Sequence, residues 1–252
     1  NNQDTFEKLA GRISQQIETD SISLLKAFND TVFINDAGFT PETAIGMYIP
    51  NSYEFYWNTT AEDFTAKMLT EHNKFWDATR LEKAKKLNLT KNEVITLASI
   101  VQKETATVKE RPVVAKLYLN RLASDWPLQA DPTIIFALKA KLGNDMVIKR
   151  VFSKDLQIDS PYNTYKNTGL PPGPISMPDI SSIDAVLNPA NHDYYYMCAS
   201  VTTFGTHEFA KTLEQHNKNA AKYQQWLKQL SDAVVSAKEQ QVTQLFELGE
   251  TI

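Results

Sequence analysis

Apolar residues recur every three to four positions along most of this 252-residue chain, which is the spacing of one face of an α-helix. The pattern predicts helices over residues 4–17, 21–28, 60–86, 90–104, 109–123, 131–141 and 181–187, and a long helix from about 212 through at least 230. Residues 34–40 are expected to form a connector. Residues 231–252 are expected to continue as a helical tail with weaker patterning.

Three of these helices begin with recognisable start signals. Thr90 with Glu93 forms a capping box, and Thr60 with Asp63 resembles one in which aspartate replaces glutamate. Asp131 directly precedes a proline and is expected to be the N-cap of its helix.

Strand patterns are confined to two places. Residues 47–57, MYIPNSYEFYW, are dense in aromatic residues and predict a strand–turn–strand, with a sugar-stacking platform as the alternative. Residues 194–200 and 206–210 alternate around a turn at 203–205 and predict a hairpin. The expected fold class is therefore α+β, with helices packed on a small, mainly antiparallel sheet.

A glutamate interrupts the apolar face of the helix over 90–104. Leu97, Ile100, Val101 and Glu104 fall on one stripe. Burial disfavours a charged carboxylate and raises its pKa, which suits a general acid. In the alternative interpretation the helix ends near Glu104, and the carboxylate reaches water or pairs with Arg111.

Composition excludes several classes of protein. The chain is 42% apolar with a net charge of -4 and no basic stripe, so nucleic acid is not an expected partner. The single cysteine, Cys198, lies in an apolar run and is interpreted as a buried structural thiol. The four histidines lack metal-binding spacing, so neither a metal nor a cofactor is expected. No apolar run has the length of a membrane span, and no signal peptide opens the chain.

The least regular segment is 159–179, DSPYNTYKNTGLPPGPISMPD. A long segment without secondary structure inside a compact domain is usually functional or disordered. Its tyrosines and aliphatic side chains provide groups for packing, which argues against disorder. Tyrosine faces together with asparagine and threonine side chains are also suited to a sugar chain.

Several motifs occur together in a fixed order: IVQKET with a downstream ER, then NRL, LQADPT, YNTYKNTGLPPGPIS, NPA, THEF and HN. With these motifs the chain resembles the endolytic murein transglycosylase family (MltG, or YceG-like) over roughly residues 48–230. The family's EKET-type motif, which holds its catalytic glutamate, here reads QKET. Its first acidic position is Gln102, so Glu104 is expected to be catalytic.

The resemblance implies a domain organisation and a location. Residues 1–45 would be a partial, LysM-like-associated N-terminal region, 46–230 the catalytic domain and 231–252 a C-terminal helical tail. Family members are usually held in the inner membrane by one N-terminal helix, with the catalytic domain on its periplasmic face. Because no such anchor is visible in this sequence, the chain is expected to be a soluble fragment. Peptidoglycan glycan strands are the implied partner, with cell-wall synthesis proteins as further candidates.

The implied reaction cleaves MurNAc–GlcNAc bonds within glycan strands. Glu104 would act first as general acid and then as general base, leaving a 1,6-anhydro-MurNAc end without consuming water. The residues expected to contact substrate or to shape the cleft are Gln129, Asp131, Thr133, Tyr162, Asn163, Thr164, Tyr165, Gly169, Pro172, Gly173 and His207.

Two alternatives stay open at this point. The chain could be a glycan-binding scaffold without turnover, in which case Glu104→Gln would change nothing measurable. It could also be a hydrolytic muramidase, which needs a second polar group to hold a water opposite Glu104. Asp131 is the candidate for that group, although it could equally be a cap, and His207 could equally be structural.

Overall fold

The structure is a computed structural model that describes the backbone of residues 2–249 and the side chains of residues 2–233. Its helices are α1 (Phe6–Ile13), α2 (Ser21–Phe28), α3 (Thr31–Asp36), α4 (Ala61–Phe75), α5 (Ala78–Lys86), α6 (Lys91–Glu104), α7 (Arg111–Ala123), α8 (Asp131–Leu142), α9 (Ile180–Leu187) and α10 (Leu213–Gly249). Its strands are β1 (Tyr196–Ala199) and β2 (His207–Ala210), and 3-10 turns lie at Ala44–Met47, Val108–Glu110 and Asp155–Gln157. The expected α+β class is confirmed, with the described strands limited to one antiparallel pair.

The chain divides into two compact units, the first ending at His192 and the second beginning at Asp193. In the first unit, α1 and α2 pack with α4 around an aromatic cluster. The ring of Phe28 lies 4.9 Å from that of Tyr48 and 5.8 Å from that of Phe64. Residues on both sides of the expected 45/46 boundary therefore share one hydrophobic core, while the domain boundaries themselves stay a prediction.

Helix α6 is the central helix of the rest of the first unit. The predicted capping box is present, because Thr90 and Glu93 bond each other's backbone N–H groups. Residues 94–101 are all buried, and α6 packs against α7, α8 and α9. An eight-residue buried run is longer than one stripe, which is the pattern of a helix covered on most sides.

Three local predictions are wrong. Residues 47–57 form no strand: the Tyr53 hydroxyl donates to the Ile49 carbonyl at 2.7 Å, and the segment packs irregularly beside α4. The expected connector begins inside a helix, because Asp30 caps α3. The helix expected over 60–86 is two helices, because the Asp77 side chain accepts the Arg80 N–H and starts α5.

The predicted N-cap role of Asp131 is also wrong. Ala130 occupies the cap position with no side-chain bond, and Asp131 is the first residue of α8. The Asp131 carboxylate instead accepts a hydrogen bond from Tyr165. A carboxylate in a first turn still interacts favourably with the helix dipole, so the sequence signal was real although the position was displaced by one residue.

The second unit contains the predicted hairpin. Strands β1 and β2 are antiparallel, with Tyr196 opposite Ala210 and Ala199 opposite His207. Helix α10 packs on both strands, and the ring of His216 lies 5.3 Å from that of Tyr196.

Helix α10 continues through Gly249, so the expected tail is helical as far as the structure describes it. Residues 250–252 of that tail lie outside the described residues. Within the described part of the chain, no helix combines the length and hydropathy needed to cross a membrane.

Candidate active site

Glu104 is the last residue of α6. The three residues of its predicted stripe, Leu97, Ile100 and Val101, are fully buried, and Glu104 itself is half-buried. Thr105 then leaves the helix in an extended conformation. The two interpretations of the sequence therefore both describe Glu104: it continues the apolar stripe, and it lies at the helix end.

The hydroxyl of Tyr118, from α7, donates a hydrogen bond of 2.6 Å to Glu104 Oε1. Tyr118 is fully buried, and burial together with the Glu104 charge raises the pKa of Tyr118 well above its usual value. The hydroxyl therefore keeps its proton and remains a donor to the carboxyl group. Arg111, the partner considered from sequence, instead donates to Ser181 at 2.6 Å and pairs with Asp179 at 3.4 Å.

A second tyrosine–carboxylate pair lies close to the first. The Tyr165 hydroxyl donates to Asp131 Oδ1 at 2.6 Å. Burial raises the pKa of Tyr165, and the hydrogen bond to Asp131 and the charge of Glu104 raise it further. The positive charge of Arg121 acts on both tyrosines in the opposite direction. These five side chains therefore form one electrostatic cluster, which we call the Glu104 cluster.

The segment 159–179 contains no helix or strand, as predicted, and one buried asparagine organises its first half. The side-chain N–H groups of Asn163 donate to the carbonyls of Leu156 and Ile158 at 2.9 and 2.8 Å. Its side-chain oxygen accepts the N–H of Tyr165 at 3.0 Å. Asn163 thereby fixes the backbone that carries Tyr165 into the Glu104 cluster.

Buried threonines join this segment to the start of α8. The Thr164 hydroxyl accepts the Ala130 N–H at 3.0 Å and lies 2.8 Å from the hydroxyl of Thr133. The Thr164 carbonyl accepts the N–H of Gln129 at 2.9 Å. Gln129 has a positive φ of 51°, a strained conformation for a residue with a side chain. These bonds hold the start of α8, with Asp131, next to the segment that carries Tyr165.

The second half of the segment is attached to α6 and to the N-terminal region. The Ile175 N–H donates to the Ser99 hydroxyl at 3.0 Å, and the Asp179 N–H donates to the side chain of Gln102. A Cβ on Gly173 would lie 2.1 Å from the Glu42 carbonyl oxygen, so only glycine fits this close approach. Gln102, the non-acidic residue of the QKET motif, therefore positions backbone.

Comparison of the sequence with known protein families identifies the family of this chain. The model of the YceG-like family matches residues 1–222. The chain belongs to the YceG-like family. The match includes α1–α3, which the resemblance seen in the sequence did not cover, and ends at residue 222, before the end of the predicted region at about 230. The N-terminal helices are therefore part of the family's common region.

Named relatives and a solved structure agree with this assignment. The chain is 40% identical over 179 residues to an endolytic murein transglycosylase of Bacillus subtilis, covering 71% of this chain and 47% of that protein. It is 36% identical over 178 residues to one of Streptococcus pneumoniae, covering 71% of this chain and 32% of that protein. The chain thus matches half or less of the length of these relatives.

The fold is also similar to that of a solved YceG-like protein. A 2.6 Å crystal structure of a YceG-like protein from Listeria monocytogenes superposes with a TM-score of 0.70 and 34% sequence identity. The match covers 85% of this chain and 72% of that chain.

The predicted substrate-contacting residues of this YceG-like chain fall into three groups. Asp131 and Tyr165 meet in the Glu104 cluster. Gln129, two residues before Asp131, has an exposed side chain. The Tyr162 ring packs 4.5 Å from that of Phe136, and burial, with the Glu42 charge, raises the pKa of Tyr162 to about 12.

The second group is internal. Thr133, Asn163 and Thr164 are at most 1% exposed, and all bond protein groups. In this structure they position the cluster and do not present a surface to a glycan. They are polar residues of the type that binds sugars, but here the same donors and acceptors serve the backbone.

The remaining predicted residues lie in turns or in the second unit. Gly169 has a φ of +81°, and Pro172 is exposed next to Gly173. His207 lies on β2 in the second unit, with its ring 6.1 Å from that of Phe209. A substrate contact by His207 stays a prediction.

Sequence reasoning did not identify Tyr118 and Arg121 as site residues. Tyr118 lies on the buried side of its helix, where a tyrosine among aliphatic residues signals a need for a hydrogen-bond partner. Arg121 is buried and donates to the Leu128 carbonyl. An arginine on the same helix face, three residues after a buried tyrosine, was the available signal.

Among the described residues, no group of three or more histidine, cysteine, aspartate or glutamate side chains is arranged to hold a metal ion. What the Glu104 cluster offers is a carboxyl group with a fixed hydroxyl donor and a nearby cation.

Proposed function

We propose that this chain is the catalytic part of an endolytic lytic transglycosylase that cleaves MurNAc–GlcNAc bonds within peptidoglycan strands. The observation that carries the proposal is the hydrogen bond from buried Tyr118 to the half-buried carboxyl group of Glu104. The family assignment and the names of the bacillar and pneumococcal relatives support the substrate class.

In the first step Glu104 donates a proton to the glycosidic oxygen. The Tyr118 hydrogen bond fixes Oε1, so we assign the transferred proton to Oε2. The end of α6 supports the neutral acid, because the last carbonyls of a helix carry partial negative charge. The helix end therefore favours the protonated form that a general acid needs, while the Tyr118 hydrogen bond and the Arg121 charge favour the carboxylate that forms in the reaction.

Once the proton has left, Glu104 is a carboxylate and needs compensation. The Tyr118 hydrogen bond becomes charge-assisted, which makes it roughly twice as strong as a neutral one. The positive charge of Arg121 acts on the same cluster. The cluster therefore stabilises the charge that develops on Glu104 as the bond breaks.

The second step uses groups of the substrate. The N-acetyl carbonyl of the muramic acid stabilises C1, and the 6-hydroxyl of the same sugar attacks C1. Glu104 accepts the proton of that hydroxyl, so the carboxyl group returns to its starting state. The product ends in 1,6-anhydro-MurNAc, no water is consumed, and one carboxyl group serves both steps.

Asp131 and Tyr165 are assigned to the substrate side of the site. The Tyr165 ring is half-buried, so part of one face is accessible to a sugar, and its hydroxyl is held by Asp131. Gln129 is exposed and adds an amide for hydroxyl or N-acetyl groups.

The experiment is mass spectrometry of purified glycan strands after incubation with wild-type protein and with Glu104→Gln. Wild type is expected to release anhydro-ended fragments, and Glu104→Gln to lose at least a thousandfold in rate, since an amide can neither donate nor accept the proton. The matched control is Glu110→Gln, a buried glutamate in the turn before α7.

Other products would change the proposal. Reducing-ended fragments, heavier by one water, would establish a muramidase and direct attention to Asp131 as the group holding that water. Equal binding of glycan by both proteins with no fragments from either would establish a scaffold.

The cellular setting is part of the proposal. We place the whole protein at the inner membrane with its catalytic domain on the periplasmic side, where its substrate lies. Proteins of cell-wall synthesis are the proposed partners, because an enzyme that cuts new strands must act where those strands are made.

A further inference from the structure

A small pocket lies between α1, α6 and α8, and two of its lining residues, Lys103 and Pro132, are chain neighbours of members of the Glu104 cluster. Its volume is about 200 Å³. Lys103 lines it and immediately precedes Glu104 in α6. Phe136 also lines it, and its ring contacts that of Tyr162 at 4.5 Å. The pocket is therefore bordered by residues next to two of the predicted site residues.

The rim of this pocket is positively charged. Lys8, Lys103 and Lys139 contribute three ammonium groups against the single carboxylate of Asp4. Lys103 Nζ lies 2.6 Å from Asp4 Oδ1, and Lys8 Nζ lies 3.9 Å from Oδ2. Burial alone would raise the pKa of Asp4, but the hydrogen bond from Lys103 and the three lysine charges outweigh it and lower that pKa. Asp4 thus stays ionised and balances only part of the positive charge.

Among the three lysines, Lys139 is the one whose ammonium group can pair with an anionic ligand. Its side chain makes no hydrogen bond or ion pair with any residue whose side chain the structure describes, yet its charge acts on Asp4. Below it, the pocket wall is apolar and includes Ile135, Phe136 and Ile175. A ligand that uses both features has an aliphatic part and an anionic end.

We propose that this pocket binds the free α-carboxylate of the γ-linked D-Glu in the peptide stem carried by the glycan substrate. The volume is below the roughly 300–1,000 Å³ of pockets for drug-sized ligands, so it fits one amino-acid residue of the stem and not a disaccharide. A bare phosphate would leave the apolar wall uncovered. The inference rests on the proposed function, because it takes peptidoglycan as the substrate.

The test begins with binding and not with turnover. The probe is a synthetic stem peptide, L-Ala-γ-D-Glu-L-Lys with an amidated C-terminus, and its partner is the same peptide with the D-Glu carboxylate amidated. Both are titrated into the protein and followed by NMR. The acidic peptide is expected to bind about threefold to tenfold more tightly than the amidated one.

Variants locate the site. Lys139→Gln and Lys8→Gln are each expected to weaken binding of the acidic peptide by about twofold to fivefold, the effect of an exposed ion pair. Lys139→Arg should retain binding because it keeps the charge. The matched control is Lys141→Gln, an exposed lysine on the same helix that does not line the pocket.

The inference would be overturned if the two peptides bound equally or if neither bound. It would also be overturned if Lys141→Gln weakened binding as much as Lys139→Gln. Displacement of the peptide by inorganic phosphate, at a concentration below the peptide's own dissociation constant, would reassign the pocket to phosphate.

The failure of this inference is distinguishable from the failure of the proposed function. Binding is measured on wild type and on Glu104→Gln, and neither measurement needs cleavage. A protein that binds the acidic peptide without cutting strands keeps the pocket assignment and loses the enzymatic one. A protein that cuts strands at equal rates whether their stems are acidic or amidated, and binds neither peptide, has the opposite outcome.

Discussion

Helix α6 and the segment 159–179 both contribute buried backbone to the first unit, but they satisfy their polar groups differently. In α6 the bonds run between residues four apart, and the cap joins Thr90 and Glu93, three apart. In 159–179 the side chains of Asn163 and Thr164 make the bonds, some of them to residues more than thirty positions away. A helix distributes its stability over many equivalent bonds, whereas this segment depends on a few side chains.

The largest effect is therefore expected for Asn163→Ala. The substitution removes three hydrogen bonds and leaves the Leu156 and Ile158 carbonyls without their donor. An unsatisfied buried group costs about 1–3 kcal/mol, so the free energy of unfolding should fall by about 4 kcal/mol. Chemical denaturation measures this change.

Asn167→Ala is the matched control for that experiment. Asn167 is exposed and bonds only the carbonyls of Ser160 and Asn163, so its removal should cost less than about 1 kcal/mol. Equal effects of the two substitutions would contradict the idea that burial makes Asn163 decisive.

Unlike Asn163, some buried polar side chains of the helical part have an atom without a hydrogen-bond partner among the described residues, and His72 is one of them. His72 of α4 is 1% exposed, and its Nε2 has no hydrogen-bond partner among the described residues. Burial, aided by the charge of Lys91, lowers the pKa of His72 to about 4. The unfolded chain, with a histidine pKa near 6.5, binds more protons between pH 4 and 6.5, so stability must fall as the pH falls through that window.

The expected loss is up to about 3 kcal/mol at pH 4 relative to pH 7, with no contribution from His72 above pH 7. Denaturation midpoints of wild type and His72→Gln across this range measure it. A wild-type slope that persists unchanged in His72→Gln would assign the acid sensitivity to other groups.

Tyr118→Phe tests the point where the helix and the segment meet. It removes only the hydroxyl that donates to Glu104. A hydrogen bond to a charged group contributes about 1.5–3 kcal/mol, so strand cleavage should slow by about tenfold to a hundredfold. Because that bond favours the ionised carboxylate, its loss should also move the alkaline limb of the pH–rate profile to higher pH.

The control is Tyr53→Phe, which removes a hydroxyl that donates to a backbone carbonyl beside α4. Its cleavage rate should stay within about twofold of wild type. A Tyr118→Phe protein with unaltered rate and pH profile would remove Tyr118 from the proposed mechanism.

The smallest effect is expected at the cap of α6. Glu93→Ala removes one of the two reciprocal bonds of the capping box and should lower the free energy of unfolding by about 1 kcal/mol. Glu82→Ala, which removes an exposed i,i+4 ion pair with Lys86, should cost only a few tenths of this. Thermal unfolding of both variants would show no difference if the cap were unimportant.

This contrast explains which parts of the fold were predictable. Most of the helices, the Thr90 capping box, the hairpin and the irregular character of 159–179 follow from local spacing, and the structure has them. Glu104 was singled out because a local pattern was broken at its position. These elements are held by hydrogen bonds between residues that are close in sequence, and such bonds can be predicted from the local sequence.

The wrong or missing predictions involve distant partners. Residues 47–57 are aromatic because they pack on α4 and the N-terminal helices, which a sequence pattern cannot separate from a strand. Sugar contacts by Asn163 and Thr164 stay predictions, but their internal bonds were missed, because the Thr164 partners lie more than thirty residues away and the Asn163 bonds follow no regular spacing. The Tyr118 contact to Glu104 joins two helices whose packing no single-helix pattern specifies.

The length of helix α6 also sets the position of Glu104. Its 14 residues span about 21 Å between the Thr90 cap and Glu104. Each residue added to this rod would turn its far end by about 100° and advance it by about 1.5 Å, so a single insertion would swing the carboxyl group away from the Tyr118 hydroxyl. The length of this helix is therefore as important to the proposed active site as Glu104 itself.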